Sequence, residues 1–214
     1  MRMAVIVEAT PKLVFTEYGH KLIIQPGEDE DPQALFERIC ADFDKQQKLE
    51  LDSDGNIIIT APAGNESSYR NNQISKQLSI WADQDGRGKV FDSSTGFKLP
   101  DGSCLGSDAA WISNERIAAV PRKELRGFAR LVPEFIVELK SQTDRFSELR
   151  KKMHAWRRNG VELGWLIHPE KQFVLIYRLN SEEPEEYRGE SIRGEGPLSG
   201  FTLDLRPVWT GLDI

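Results

Sequence analysis

Apolar residues recur along this chain with two periods, and the alternation between them predicts a mixed α/β order. Leu35, Phe36, Ile39, Cys40 and Phe43 follow helical spacing after Asp31-Pro32, which offers an N-cap and a proline at the first helical position, so a helix is expected over 33–45. Ile74, Leu78 and Trp81 mark a second helix over 67–83, ending before Asp85-Gly86. Phe146, Leu149, Met153 and Trp156 mark a third over 144–159, ending at Gly160. Short strands are expected over 3–16, 21–25, 49–51, 57–60, 89–93 and 96–99, with a hairpin turn at Asp54-Gly55 and another turn at Pro100-Asp-Gly102. Residues 163–168 and 172–178 read as a hairpin, 114–130 as a short helix plus loop, 181–195 as an exposed acidic excursion, and 201–205 as a last strand.

The run Pro133-Glu-Phe-Ile-Val-Glu-Leu-Lys140 departs from these simple patterns. Five of its eight residues are apolar, which predicts a central strand covered on both faces. Strand alternation places Ile136, Glu138 and Lys140 on one face and Phe135, Val137 and Leu139 on the other. A carboxylate and an ammonium thus project together from a covered strand, and buried charges must be paired or bind metal. A second strand-like segment, Asp108-Ala-Ala-Trp-Ile-Ser113, opens with a carboxylate directly after the turn-forming Gly106-Ser107.

Asp108 and Glu138 would suffice, with the Leu139 backbone carbonyl, to hold Mg²⁺ or Mn²⁺, because such hard cations take oxygen ligands and keep several waters. The cation would activate water and stabilise charge on a phosphodiester, with Lys140 orienting or deprotonating the attacking water. Glu66, at the start of the second helix, could add a carboxylate through a bridging water. Plainer readings stand beside these: Asp108 as a turn residue, Glu138 and Lys140 as a surface ion pair, and Glu66 as an acid favoured at a helix N-terminus. Arg145, Arg150, Lys151, Lys152, Arg157 and Arg158 make the third helix basic, either as a solvated face or as a phosphate-contacting surface.

Composition narrows the field. With 214 residues, 39% hydrophobic and 29% charged, the chain suits one globular domain. No apolar run reaches the roughly 20 residues of a membrane span or forms a secretory signal, so the cytoplasm is expected. Two cysteines, Cys40 and Cys104, without Cys-x-x-Cys spacing fit a reducing compartment and argue against a zinc site. A net charge of −6 confines any nucleic-acid contact to a local surface.

An ordered series of motifs carries a family resemblance: Gly64-Asn-Glu66, Gly88-Lys-Val-Phe-Asp-Ser-Ser-Thr-Gly-Phe-Lys-Leu-Pro100, Ser107-Asp-Ala-Ala-Trp-Ile-Ser113, Pro133 to Lys140, and Gly164-Trp-Leu-Ile-His-Pro169. Together, over roughly 36–209, they resemble the Uma-two family of restriction endonucleases, within the PD-(D/E)XK nuclease superfamily. The resemblance implies a restriction-endonuclease-like mixed β-sheet core flanked by α-helices, with an N-terminal strand and helix extension. The expected division is an extension over 1–62, a nuclease core over 63–180 and a C-terminal hairpin or strand over 181–214.

It also implies a Mg²⁺-dependent endonuclease acting on DNA as a homodimer, with Asp108, Glu138 and Lys140 at the acidic and E-x-K positions and Glu66 as the helical acid. Two positions depart from the pattern: Ser107-Asp108 replaces Pro-Asp, and His168 stands where relatives carry an acid, with no catalytic meaning attached to it. A catalytically silent module that uses the same fold for binding or assembly is the alternative. A carboxylate-pair glycosidase ranks last because it leaves Lys140 unexplained.

Overall fold

Among the described residues the chain builds two six-stranded sheets, which meet at Gly106 between the strand Cys104–Leu105 of one and the strand Ala109–Ser113 of the other. This computed structural model describes residues 12–15, 21–42 and 48–213. The first sheet has the order β1 (Lys12–Phe15), β2 (Lys21–Gln25), β4 (Ile57–Thr60), β3 (Lys48–Leu51), β7 (Cys104–Leu105) and β6 (Phe97–Lys98). Helix α1 (Pro32–Asp42) packs on it through Leu35 and Phe36, which join Ile24, Leu51, Ile57 and Ile59 in one apolar cluster. Its start is capped as the sequence predicts, with the Asp31 carboxylate accepting the Gln33 N–H at 3.0 Å. The β3–β4 hairpin turns at Gly55, whose φ of 83° lies in the left-handed region that glycine enters without strain. The predicted stretches 3–11 and 43–45 lie outside the described residues.

The second sheet has the order β12 (Glu185–Tyr187), β11 (Phe173–Arg178), β10 (Leu163–His168), β9 (Phe135–Leu139), β8 (Ala109–Ser113) and β5 (Gly88–Asp92). Its one parallel pair, β9 with β10, is joined by the crossover helix α4 (Phe146–Arg158), as a parallel connection requires. All five residues of β9 are buried. Alternation along β9 sorts its side chains between two helices. Phe135, Val137 and Leu139 pack with Ile74, Leu78 and Ala82 of α2 (Asn65–Asp85), whereas Ile136 packs with Leu149, Met153 and Trp156 of α4. The sheet is therefore covered on both faces, and Glu138 shares the α4 face with Ile136. Helix α3 (Asn114–Ala119) and an irregular loop fill 114–130 as predicted, with Ser113 capping α3 by accepting the Arg116 N–H.

The structure differs from expectation in three places. Residues 181–195 are not a simple excursion: β12 extends the second sheet, and β13 (Ser191–Arg193) pairs with β14 (Thr202–Asp204). Acidic Glu185 is tolerated on that edge because it meets Arg178 at 2.8 Å. A short helix, α5 (Arg206–Thr210), follows β14. The first sheet also draws β6 and β7 from beyond residue 62, because Leu51 of β3 pairs with Cys104. The N-terminal hairpin is thereby joined directly to the segment leading into Asp108. Among the described residues, no helix is long and apolar enough to cross a membrane.

Candidate active site

The β8–β9 ladder pairs Ala110 with Ile136 and Ala109 with Val137, so the next step sets Asp108 across from Glu138. The strands part here. The Asp108 N–H donates to the Val137 carbonyl at 2.9 Å, and the Leu139 N–H donates to Asp108 Oδ2 at 2.7 Å. That second bond fixes the Asp108 carboxylate over the end of β9. Like charges opposed across a ladder destabilise a sheet unless something compensates them.

Part of the compensation comes from α4. Lys152 lies one turn from Trp156, and its Nζ reaches Glu138 Oε1 at 2.9 Å, Glu50 Oε1 at 2.8 Å and the Gly106 carbonyl at 2.7 Å. An ammonium has three protons, and these three acceptors use them all. Trp156 Nε1 adds a 3.0 Å bond to the same Glu138 oxygen. Glu50, from β3, accepts the Gly106 N–H at 2.9 Å. Glu138 and Glu50 are only 2% and 6% exposed, so these charges meet in a poorly solvated place.

The two carboxylates on the shared ammonium move apart in acidity. Burial alone would raise the Glu50 pKa, but the charges of Lys152 and Lys48 and the bonds from Lys152 and Gly106 outweigh it and bring Glu50 down to about 2. Burial raises Glu138, and although Lys152 and Lys48 oppose this, the negative charges of Asp108 and Glu50 add to it and the net shift is upward. Burial would lower Lys152, but Glu138 and Glu50 together raise it above the usual lysine range. Two further carboxylates, Asp108 and Glu50, and two ammoniums, Lys152 and Lys48, thus surround Glu138.

This donor set suits a hard divalent cation. The described hydrogen bonds engage Oδ2 of Asp108 and Oε1 of Glu138, leaving the second oxygen of each, and Leu139 lines the same cleft. Among the described residues, no three His, Cys, Asp or Glu side chains come together as a metal cage. Two carboxylates with water and substrate oxygens are, however, the usual magnesium arrangement.

Two predicted site residues sit elsewhere. Lys140 follows the last residue of β9, where strand alternation no longer fixes side-chain direction. Its Nζ donates to the Ser141 carbonyl at 2.8 Å and lies 3.9 Å from Glu170, away from the Glu138 ion pair. The cation against Glu138 is Lys152 instead. Glu66 lines the cleft, but its Oε1 is 2.9 Å from Arg70 Nη2 and accepts the Leu212 N–H at 3.3 Å. Asp108, Glu138 and Leu139 are brought together, and the residues missed are Lys152 and Glu50. One signal was available for Lys152: it lies three residues after Leu149 and four before Trp156, on the inward stripe of α4. His168 is buried against Phe146 and Phe173, consistent with packing.

These groups lie on a cleft of about 2110 Å³. Lys48, Glu50, Ile58 and Thr60 of the first sheet form one wall, and Asp108, Glu138 and α4 form the other. Gly106, whose backbone bonds to both Glu50 and Lys152, leaves little space for a side chain. A Cβ there would sit 2.9 Å from the Thr95 carbonyl oxygen and 3.0 Å from Lys48 Cε, and the backbone oxygen has little freedom to yield. Gly106→Ala is therefore expected to destabilise the fold by roughly 1–3 kcal/mol, read as a lower urea midpoint. An unchanged midpoint would mean that the walls separate at little cost.

The family comparison agrees with this architecture. The Uma2 family, described as "Putative restriction endonuclease", matches residues 33–206. Among solved structures, the crystal structure of "a putative nuclease belonging to DUF820" from Anabaena variabilis superposes with a TM-score of 0.63 at 21% identity, covering 77% of this chain and 90% of that one. A DrdV–DNA complex aligns over 56% of this chain and 10% of its own, at 14% identity and a TM-score of 0.36. No curated protein matches in sequence. With the family match running from α1 to the start of α5, the chain belongs to the Uma2 family and carries its nuclease-type mixed α/β fold.

Proposed function

We propose that this protein is a divalent-metal-dependent endonuclease that hydrolyses DNA phosphodiester bonds. The observation that carries the proposal is the opposition of Asp108 and Glu138 at the point where β8 and β9 part, with the partly buried Lys152 against Glu138. Membership of a family described as restriction endonucleases supports the same reaction class. Asp108, Glu138 and the Leu139 carbonyl are the groups that would hold Mg²⁺ or Mn²⁺. Such a cation, when bound, acidifies a water ligand and neutralises charge on the scissile phosphate.

The surrounding chain orients these ligands. The Leu139 N–H aims Asp108, while Trp156 and Lys152 aim Glu138. Lys152 takes the charge-stabilising role that the E-x-K reading gives Lys140, because its ammonium touches Glu138 at the poorly solvated base of the cleft, where charge interactions are stronger than in bulk water. Lys48 and the exposed Lys151 and Arg158 line the cleft beside the site, where they favour a phosphate backbone in an otherwise acidic protein. Glu66, held by Arg70, is left out of the direct ligand set.

Calorimetric titration with Mn²⁺ tests the ligand assignment. The wild type is expected to bind, and Asp108→Ala and Glu138→Ala to weaken binding by more than the roughly 10- to 100-fold typical of outer-shell changes. Equal binding by all three proteins would remove the site.

A further inference from the structure

We propose that Glu50 is a positioning residue of this site, holding the Lys152 ammonium so that Glu138 remains available to a metal ion, and that the N-terminal sheet is therefore part of the catalytic apparatus. The proposal rests on the nuclease reading above. Its basis is geometric. Glu50 is only 6% exposed at a strand position that alternation aims into the cleft, and a single oxygen, Oε1, accepts both the Gly106 N–H at 2.9 Å and Lys152 Nζ at 2.8 Å. Lys152 in turn donates to the Gly106 carbonyl at 2.7 Å. Glu50, Gly106 and Lys152 thus close a ring of contacts two residues before Asp108, tying the turn that delivers one candidate ligand to the cation beside the other.

Lysine carries a point charge on a flexible four-carbon stem and takes its direction from its partners. With Glu50 present, Lys152 is shared between two carboxylates. Without that charge, Glu138 is its remaining carboxylate partner in the described contacts, and the ammonium competes with a metal ion for Glu138. Glu50 touches neither proposed ligand in the described contacts, so its effect on a metal ion runs through Lys152 and Gly106.

Glu50→Gln keeps the length of the side chain and an oxygen for the Gly106 N–H while removing the charge. Glu50→Asp keeps the charge and serves as the conservative variant if the glutamine protein does not fold. Both are compared with the wild type by Mn²⁺ calorimetry and by steady-state cleavage of a DNA substrate. The expected result is weaker Mn²⁺ binding in Glu50→Gln and a kcat lowered by roughly 10²-fold, the scale of a small misplacement of catalytic groups, with KM for DNA little changed and substantial recovery in Glu50→Asp. Cleavage by the wild type with Mn²⁺ affinity and kcat unaltered in folded Glu50→Gln would overturn the positioning role and leave the nuclease reading intact. A wild type that neither binds Mn²⁺ nor cleaves DNA would overturn both. If Glu50→Gln does not fold, a folded Glu50→Asp with unrecovered kcat and Mn²⁺ affinity overturns the role, and recovery supports it.

Discussion

Lys152→Met is expected to lower stability by roughly 3–5 kcal/mol, the usual cost of removing one partner from a buried ion pair, and to reduce DNA cleavage by at least about 10²-fold. Both effects have the same origin. The side chain is 17% exposed and bridges carboxylates that are 8% and 3% exposed, so its loss leaves Glu50 and Glu138 poorly solvated without their shared ammonium. Methionine fills the stem volume, so the destabilisation reports charge rather than a cavity. Lys140→Met provides the contrast: its side chain is 11% exposed, but the carboxylate it approaches at 3.9 Å, Glu170, is half-exposed and stays solvated without it. That variant should stay within about 1 kcal/mol of wild type and retain cleavage within a few-fold. Urea unfolding and plasmid cleavage read both outcomes. Loss of cleavage in Lys140→Met with retention in Lys152→Met would return the catalytic cation to the E-x-K position.

Acid should expose the second large effect. Glu50 titrates at about 2 in the fold against 4.5 for an ordinary glutamate. Its folded pKa is depressed, so its contribution is fully present above 4.5 and is lost as pH falls toward 2. The displacement of about 2.5 units corresponds to roughly 3 kcal/mol. Glu138 has the opposite sign: its raised pKa means that ionisation weakens the fold as pH rises above 4.5, so its window lies on the other side of that value. Lys152, also raised, contributes fully below 10.5 and plays no part in the acid transition. The stability difference between wild type and Glu50→Gln, measured by urea unfolding from pH 5 to pH 2, should therefore shrink by roughly 3 kcal/mol. A difference that stays constant across that range would show that Glu50 is not held ionised by Lys152 and Gly106.

Much of the fold could be read from local chemistry. Gly55, Gly86 and Gly102 all take positive φ where a turn or helix end was expected. The Leu149, Met153 and Trp156 stripe buries as its spacing predicts, and β9 is covered on both faces as its apolar run predicts. The polar edge was harder to read: Glu185, Glu186 and Tyr187 lack the apolar alternation of a strand, because an edge strand with an exposed face needs none.

In the proposed site, Asp108 and Glu138 stand out in the sequence because a charge at the end of a buried strand is unusual. Lys152 was hidden among the six basic residues assigned to the third helix, because its contacts with Glu50 and Glu138 exist only once the chain is folded. Glu50 was hidden because its significance depends on the β3–β7 pairing. A single Leu51–Cys104 register pair, 53 positions apart in sequence, brings it to Gly106. Local pattern cannot reveal a contact of that separation.

Nicking of supercoiled plasmid in Mg²⁺ and Mn²⁺, with wild type and Asp108→Ala purified identically, decides whether this site is a metal-dependent nuclease. Metal-dependent nicking by the wild type, abolished by chelator and absent in Asp108→Ala, is the expected result. Nicking that is equal in both proteins, or no nicking with either metal on any DNA supplied, would contradict it and favour a nuclease fold retained for binding or assembly.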